Sequence, residues 1–197
     1  MITAYKYKLR PNKAQAHQFD EWLNLLRMQY NYRLAERFNW YESTRCSVNS
    51  CSLISCSIAS IVEEPDYYWQ KRDLLNTKKL FPVYGEIHSQ VLQDCVARVK
   101  KTFDRYIKAN KSGKRSGKPR FKGIGRYHSF TYTQMKQDCI KGNRINLPKF
   151  GEVKIILHRP IPVGEACPKD LGFKIKTVQI VKAADGYYSN PKSLSRV

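Results

Sequence analysis

Between Lys108 and Tyr127 the chain reads KANKSGKRSGKPRFKGIGRY, with eight Lys or Arg, four Gly and no carboxylate in twenty positions. Cations at this density suit one chemistry above others: they neutralise phosphates and release the counterions condensed on a nucleic-acid backbone. Glycine assists, because a residue without a side chain lets a phosphate come close to peptide N–H groups. Lys114, Arg115, Lys118, Arg120, Lys122 and Arg126 are therefore expected to contact phosphates. Phe121, Tyr127 and Tyr132 are interleaved with these cations and could stack on bases. Strand alternation also turns about half of such rings toward a core. The plain alternative for the whole segment is a solvated, flexible connector.

The element before it extends the charge. In EIHSQVLQDCVARVKKTFDRYIKAN (86–110), Ile87, Val91, Leu92, Cys95, Val99, Phe103, Tyr106 and Ile107 recur at helical spacing and form one apolar stripe. Arg98, Lys101, Arg105 and Lys108 fall on the remaining surface, as further phosphate contacts. Between Arg98 and Lys122 there are eleven basic residues against one acid, Asp104. Over 197 residues the chain carries 36 Lys and Arg against 16 Asp and Glu, a net charge of +20 and a pI near 9.8. Self-repulsion opposes that excess, so it points to an anionic partner. Nucleic acid is the first candidate and a membrane surface the second.

Other chemistries are poorly supplied. No Gly-x-Ser-x-Gly, P-loop or dinucleotide glycine pattern occurs. His17, His88, His128 and His158 are scattered, which suits structural or phosphate-contacting roles. Cys46, Cys51 and Cys56 recur every five residues and no Cys-x-x-Cys is present, unlike the paired ligands of zinc sites. Cys95 belongs to the helix stripe. Glu63, Glu64 and Asp66 are the one acidic cluster, and beside Pro65 they read as a solvated patch. We expect no catalytic residue, no metal site, no cofactor and no small-molecule substrate. MITAYKYKLR lacks the apolar core of an export signal, and no run of about 18 apolar residues suggests a membrane span. The expectation is a cytoplasmic, nucleoid-associated protein.

The positioning elements follow from periodicity. TAYKYKL (3–9) alternates as a strand, and Asn12 with Gln15 has the spacing of a helix capping box. Phe19, Trp22, Leu23, Leu26, Tyr30, Leu34 and Phe38 then mark a long helix with one apolar face. Residues 43–60 are Ser- and Cys-rich and read as a loop, and a short helix is expected at Tyr67–Lys79. Strands are expected at 127–134, 144–148, 152–160 and 174–183, with a hairpin turn at Asp185–Gly186. After Tyr187 and Tyr188 the polar SNPKSLSRV, with Pro191, should be unable to pair along a ten-residue partner. The fold expected is α+β: a small β-barrel or sheet that includes residues 3–9, with a helical bundle inserted into it and its last strand cut short.

Five strings occur in order: YKYKLRPNKAQ, IHSQVLQDCVARV, GKRSGKPRFKGIGRYHSFTYTQ, NRINLPKFGEVKIILHRPIP and IKTVQIVKAADGYY. Together they resemble the N-terminal half of TnpB-type (OrfB) proteins of bacterial insertion sequences, over residues 1–188 apart from the Ser/Cys-rich insertion. Members of that family are RNA-guided DNA endonucleases, also called transposases, and are related to type V CRISPR effectors. The resemblance implies a wedge β-barrel built from residues 1–11 and 127–188. It implies a helical recognition domain at 12–110, with 111–126 as the basic linker between them. It also implies guide RNA and double-stranded DNA as partners. By motif position, Ser89, Gln90, Gln93, Thr131, Tyr132 and Thr133 would face the duplex beside the target. An amide such as Gln90 suits bidentate adenine recognition, and the same position suits an amide facing water. The departure is the tail 189–197, where the family continues toward a nuclease domain that uses Mg2+ and holds Zn2+. The expectation is thus a truncated chain that binds nucleic acid without cleaving it. A cleavage-free repressor and an inert product are the alternatives.

Overall fold

The structure, a computed structural model, describes residues 2–45, 63–109, 112–136, 139–158 and 174–194. Most of the Ser/Cys-rich segment, with Cys46, Cys51 and Cys56, lies outside the described residues, as does Cys167. Strands β1 (Ile2–Ala4) and β2 (Tyr7–Arg10) open the chain, followed by helices α1 (Lys13–Thr44) and α2 (Tyr67–Leu80). A 3-10 turn at Pro82–Gly85 leads into α3 (Ser89–Ile107). The remaining strands are β3 (Ser129–Tyr132), β4 (Ile140–Lys141), β5 (Arg144–Leu147), β6 (Gly151–Ile156), β7 (Lys174–Ala183) and β8 (Gly186–Leu194). The class is α+β.

Helix α1 is the spine. Asn12 Oδ1 accepts from the Gln15 N–H at 2.7 Å and Gln15 Oε1 accepts from the Asn12 N–H at 3.1 Å, which completes the expected capping box. Gln15 Nε2 also donates to the Glu152 carbonyl at 3.0 Å, so the same side chain fastens the helix to β6. All seven residues of the expected apolar face are buried. The first half of that face lies on the sheet: Phe19 and Trp22 meet Phe150 at 4.4 and 4.3 Å between ring centroids, and Phe130 lies 6.0 and 5.8 Å from them. The second half meets the other helices, with Phe38 5.8 Å from Phe103.

A buried polar network fixes α2 on α1. Arg33 is fully buried, and its guanidinium donates to Glu36 at 3.0 Å, Asp73 at 2.7 Å and the Thr77 hydroxyl at 2.9 Å. Gln70 accepts from Arg37 Nε at 3.0 Å and donates to the Arg33 carbonyl at 3.0 Å. Charges this deep are tolerated only when such partners replace water.

The strands form one antiparallel sheet in the order β3-β7-β8-β2-β6-β5-β4, with β1 also on β8. A closed barrel was expected, and the sheet is open: β3 and β4 are its ends, with no ladder between them. It curls around the Phe19–Trp22 cluster instead, and one side chain spans the gap where Tyr132 Oη donates to the Pro148 carbonyl at 2.9 Å.

The C-terminal segment corrects a second expectation. β8 pairs with β7 from Gly186 opposite Ala183 to Leu194 opposite Lys174, through Pro191 opposite Val178. The proline fits because a residue in an antiparallel strand sends its N–H and C=O to the same side. The Pro191 carbonyl accepts from the Tyr5 N–H at 3.1 Å, so the missing N–H is on the β1–β2 side and costs the β7 ladder nothing. The register on β8 is continuous from β2 to β1. The break at Tyr5–Lys6 therefore falls where Pro191 has no donor to return. Asn190, one position earlier, has its N–H toward β7. Asn190→Pro should cost at least about 1 kcal/mol for the lost ladder bond. Pro191→Ala should stay within about 0.5 kcal/mol, both read from urea unfolding.

Candidate nucleic-acid interface

Helix α3 presents two unlike faces. Val91, Leu92, Cys95, Val96, Val99 and Phe103 are buried. Burial pushes the Cys95 thiol up to about 12, so it stays an uncharged packing group whose Sγ lies 3.5 Å from the Leu26 carbonyl. Ser89, Gln93, Ala97, Lys101 and Arg105 are four residues apart and so share one outward row. Of these, Ser89, Lys101 and Arg105 are exposed, while Gln93 and Ala97 are half-buried. The row ends in an open cleft of about 610 Å³, lined by Tyr67, Lys101, Arg105, Lys108 and Lys114 among others. The acid in this cleft, Asp104, is taken up by Lys100 at 2.5 Å.

The glycine-rich segment is a strap laid along α1. The Ser116 N–H donates to the Arg105 carbonyl at 3.0 Å, which satisfies a carbonyl at the end of α3. Lys118 Nζ pairs with Glu42 at 2.9 Å and lies 4.7 Å above the Phe38 ring. Phe121 meets Phe38 edge-on at 5.9 Å while remaining 56% exposed. Asn31 then grips the Lys122 peptide from both sides, accepting from its N–H at 2.7 Å and donating to its carbonyl at 2.9 Å. The strap ends at Tyr127, which is buried. Its cations stay in water. Lys114, Arg115, Lys118, Arg120, Lys122 and Arg126 are all exposed. Arg115, Arg120, Lys122 and Arg126 have no carboxylate partner among the described residues, and neither do Lys101, Arg105 and Lys108.

Four expected contacts are used inside the fold. Arg98 belongs to the half of α3 that faces β3. Its Nε pairs with Asp94 at 2.7 Å, and its terminal nitrogens donate to the Ser129 carbonyl at 2.7 Å and the Thr131 hydroxyl at 2.6 Å. Burial works against this cation, but Tyr127, Asp94 and Cys95 around it outweigh burial and hold its pKa above the ordinary value. Thr131 is therefore engaged as well. Tyr127 and Tyr132 are core rings rather than stacking platforms, and burial raises both phenols. Tyr132 faces inward at the end of β3, and Thr133, in the bend just past the strand, is exposed.

The amide positions gather elsewhere. Gln90 Oε1 accepts from the Gln134 N–H at 3.3 Å. Both border a cleft of about 830 Å³ whose lining includes Lys136, Lys141, Arg144 and Asn146. Ser89 Oγ accepts from Lys78 at 3.1 Å. Lys136, Lys141 and Asn146 were not singled out in the sequence, because isolated polar residues in turns and short strands carry no period. Asn31 was missed for a related reason. On a helix it looks like a solvent-facing residue, and nothing local marks its partner ninety-one positions away.

The two kinds of arginine on α3 should separate on substitution. Arg98→Ala leaves Asp94 without its partner and should cost about 3 kcal/mol in thermal or urea unfolding. Arg105→Ala should leave stability within about 0.5 kcal/mol and reduce the salt dependence of nucleic-acid binding by about one ion.

Residues 1–46 match the family model of the IS605-type OrfB helix-turn-helix domain. In the structure this stretch holds β1, β2 and one unbroken helix, α1. No curated protein matches the chain. The match points to DNA binding in a transposase-related protein, and the cations described above lie outside it, on the strap that α1 carries and on α3. Over residues 1–46 the chain is similar to the N-terminal region of OrfB/TnpB-type insertion-sequence proteins.

Proposed function

We propose that this chain is the nucleic-acid-holding part of an OrfB/TnpB-type transposon protein. In this reading the strap and the outward row of α3 grip the phosphates of a guide RNA scaffold. The Gln90–Gln134 cleft faces double-stranded DNA beside the target. The chain holds these partners without cutting them, so it needs neither metal nor cofactor for its own task. One observation carries the reading: among the described residues, seven exposed cations without carboxylate partners follow one another from Lys101 on α3 to Arg126 at the end of the strap. Several acids elsewhere are paired, among them Asp94 with Arg98, Asp73 with Arg33, and Asp20 with Lys182. Charge left unpaired on a braced surface repels itself, and phosphates relieve that repulsion. No described helix is long and apolar enough to cross a membrane.

The test is a salt series of equilibrium binding to a structured RNA and to duplex DNA. With roughly seven phosphate contacts, affinity should fall about a thousandfold or more between about 50 and 200 mM salt. Replacing Lys101, Arg105, Arg115 and Arg120 with Ala should lower the logarithmic slope by about four. Replacing the exposed Lys154 and Lys176 on the sheet should lower it by less than about one. Metal-dependent cleavage by the purified chain would overturn the binding-only reading.

A further inference from the structure

Most of the strap lies against α1, but one apolar residue is held away from it. Gly123, Ile124, Gly125 and Arg126 form a turn closed by the Arg126 N–H donating to the Gly123 carbonyl at 3.1 Å. Gly125 has a φ of +69°, a conformation that favours glycine. Ile124 at the tip is 87% exposed, more than any other large hydrophobic residue among those described. A single exposed apolar side chain is ordinary on a mobile loop, but this one has a fixed mount. Asn31 clamps the Lys122 peptide on one side, at 2.7 and 2.9 Å. On the other side Tyr127 is buried, and the His128 carbonyl accepts from the Lys182 N–H at 2.8 Å.

Beside Ile124 lies a cleft of about 790 Å³ with apolar walls that include Leu23, Tyr127, Val181 and Ala183. Arg27 and His128 also line it. Its one carboxylate, Asp20, is already held by Lys182 and the Tyr187 hydroxyl, each at 2.6 Å. Lys122 and Arg126 stand two positions on either side of Ile124, exposed and without carboxylate partners among the described residues. An occupant must therefore offer a flat apolar face with polar edges, attached to anionic groups on both sides. A nucleobase within a strand has that form.

We infer that Ile124 is a wedge that unstacks one base of a bound strand, and that the cleft receives this base while Lys122 and Arg126 hold the flanking phosphates. Aliphatic residues set beside cations are suited to this task, since they separate base steps without competing for hydrogen bonds. The inference rests on the nucleic-acid reading above.

The experiment uses the full chain and adenine-rich strands of about 16 nucleotides, as DNA and as RNA, with one central 2-aminopurine whose emission stacking quenches. Binding should raise that emission in at least one of the two. Ile124→Leu should retain the rise, and Ile124→Ala should abolish most of it while weakening binding by about 5- to 100-fold, with the salt slope unchanged. A rise that survives Ile124→Ala, or strong salt-dependent binding with no rise in either strand, would overturn the wedge and leave the phosphate reading intact. Absence of salt-dependent binding by the unaltered chain would overturn both.

Discussion

Like charges crowded onto a short segment repel, and this chain keeps them together by fixing backbone rather than by neutralising side chains. The strap from Ser112 to Arg126 contains six exposed cations and one ion pair, Lys118 with Glu42. It is held by Ser116 on the Arg105 carbonyl, by Asn31 on the Lys122 peptide, and by Tyr127 sunk into the core. None of these anchors consumes the charge of Arg115, Arg120, Lys122 or Arg126. Cations mounted in this way lose little backbone entropy when an anion arrives, and only their side chains remain to be ordered.

The helix beneath must be rigid for that to work. α1 owes its position to two unlike contacts: aromatic packing against the curled sheet through Phe19 and Trp22, and the buried polar network of Arg33, Gln70 and Asp73 on α2. Aromatic packing supplies area, while the network has few alternative arrangements that satisfy every group, so it favours a single orientation of α2. α3 lies in the remaining space and continues into the strap. The cationic surface is therefore attached at both ends to the core.

Much of this was legible from residue order. The capping pair Asn12–Gln15, the apolar faces of α1 and α3 and the bounds of α2 follow from local spacing, and local spacing is what a helix obeys. Arg98 was not legible, because periodicity gives a helix face but not what packs there. Only the arrival of β3 makes Ser129 and Thr131 its partners. Tyr127 and Tyr132 were read beside the cations they adjoin in sequence, although the core claims them. Pro191 misled for a geometric reason: its cost depends on which side its N–H would face, and the pairing of three strands decides that. The barrel was an inference from the order of strands and helices, which the resemblance only reinforced, whereas sheet closure depends on pairing between strands far apart in the chain.

Hydrogen exchange of the free and nucleic-acid-bound chain tests the central claim most directly. New protection should map to the strap between Ser112 and Tyr127 and to the last turns of α3 around Lys101–Lys108. The outer face of α1 around His17 and Glu21 should remain unchanged. Protection confined to that face of α1, with the strap exchanging as in the free chain, would contradict the account.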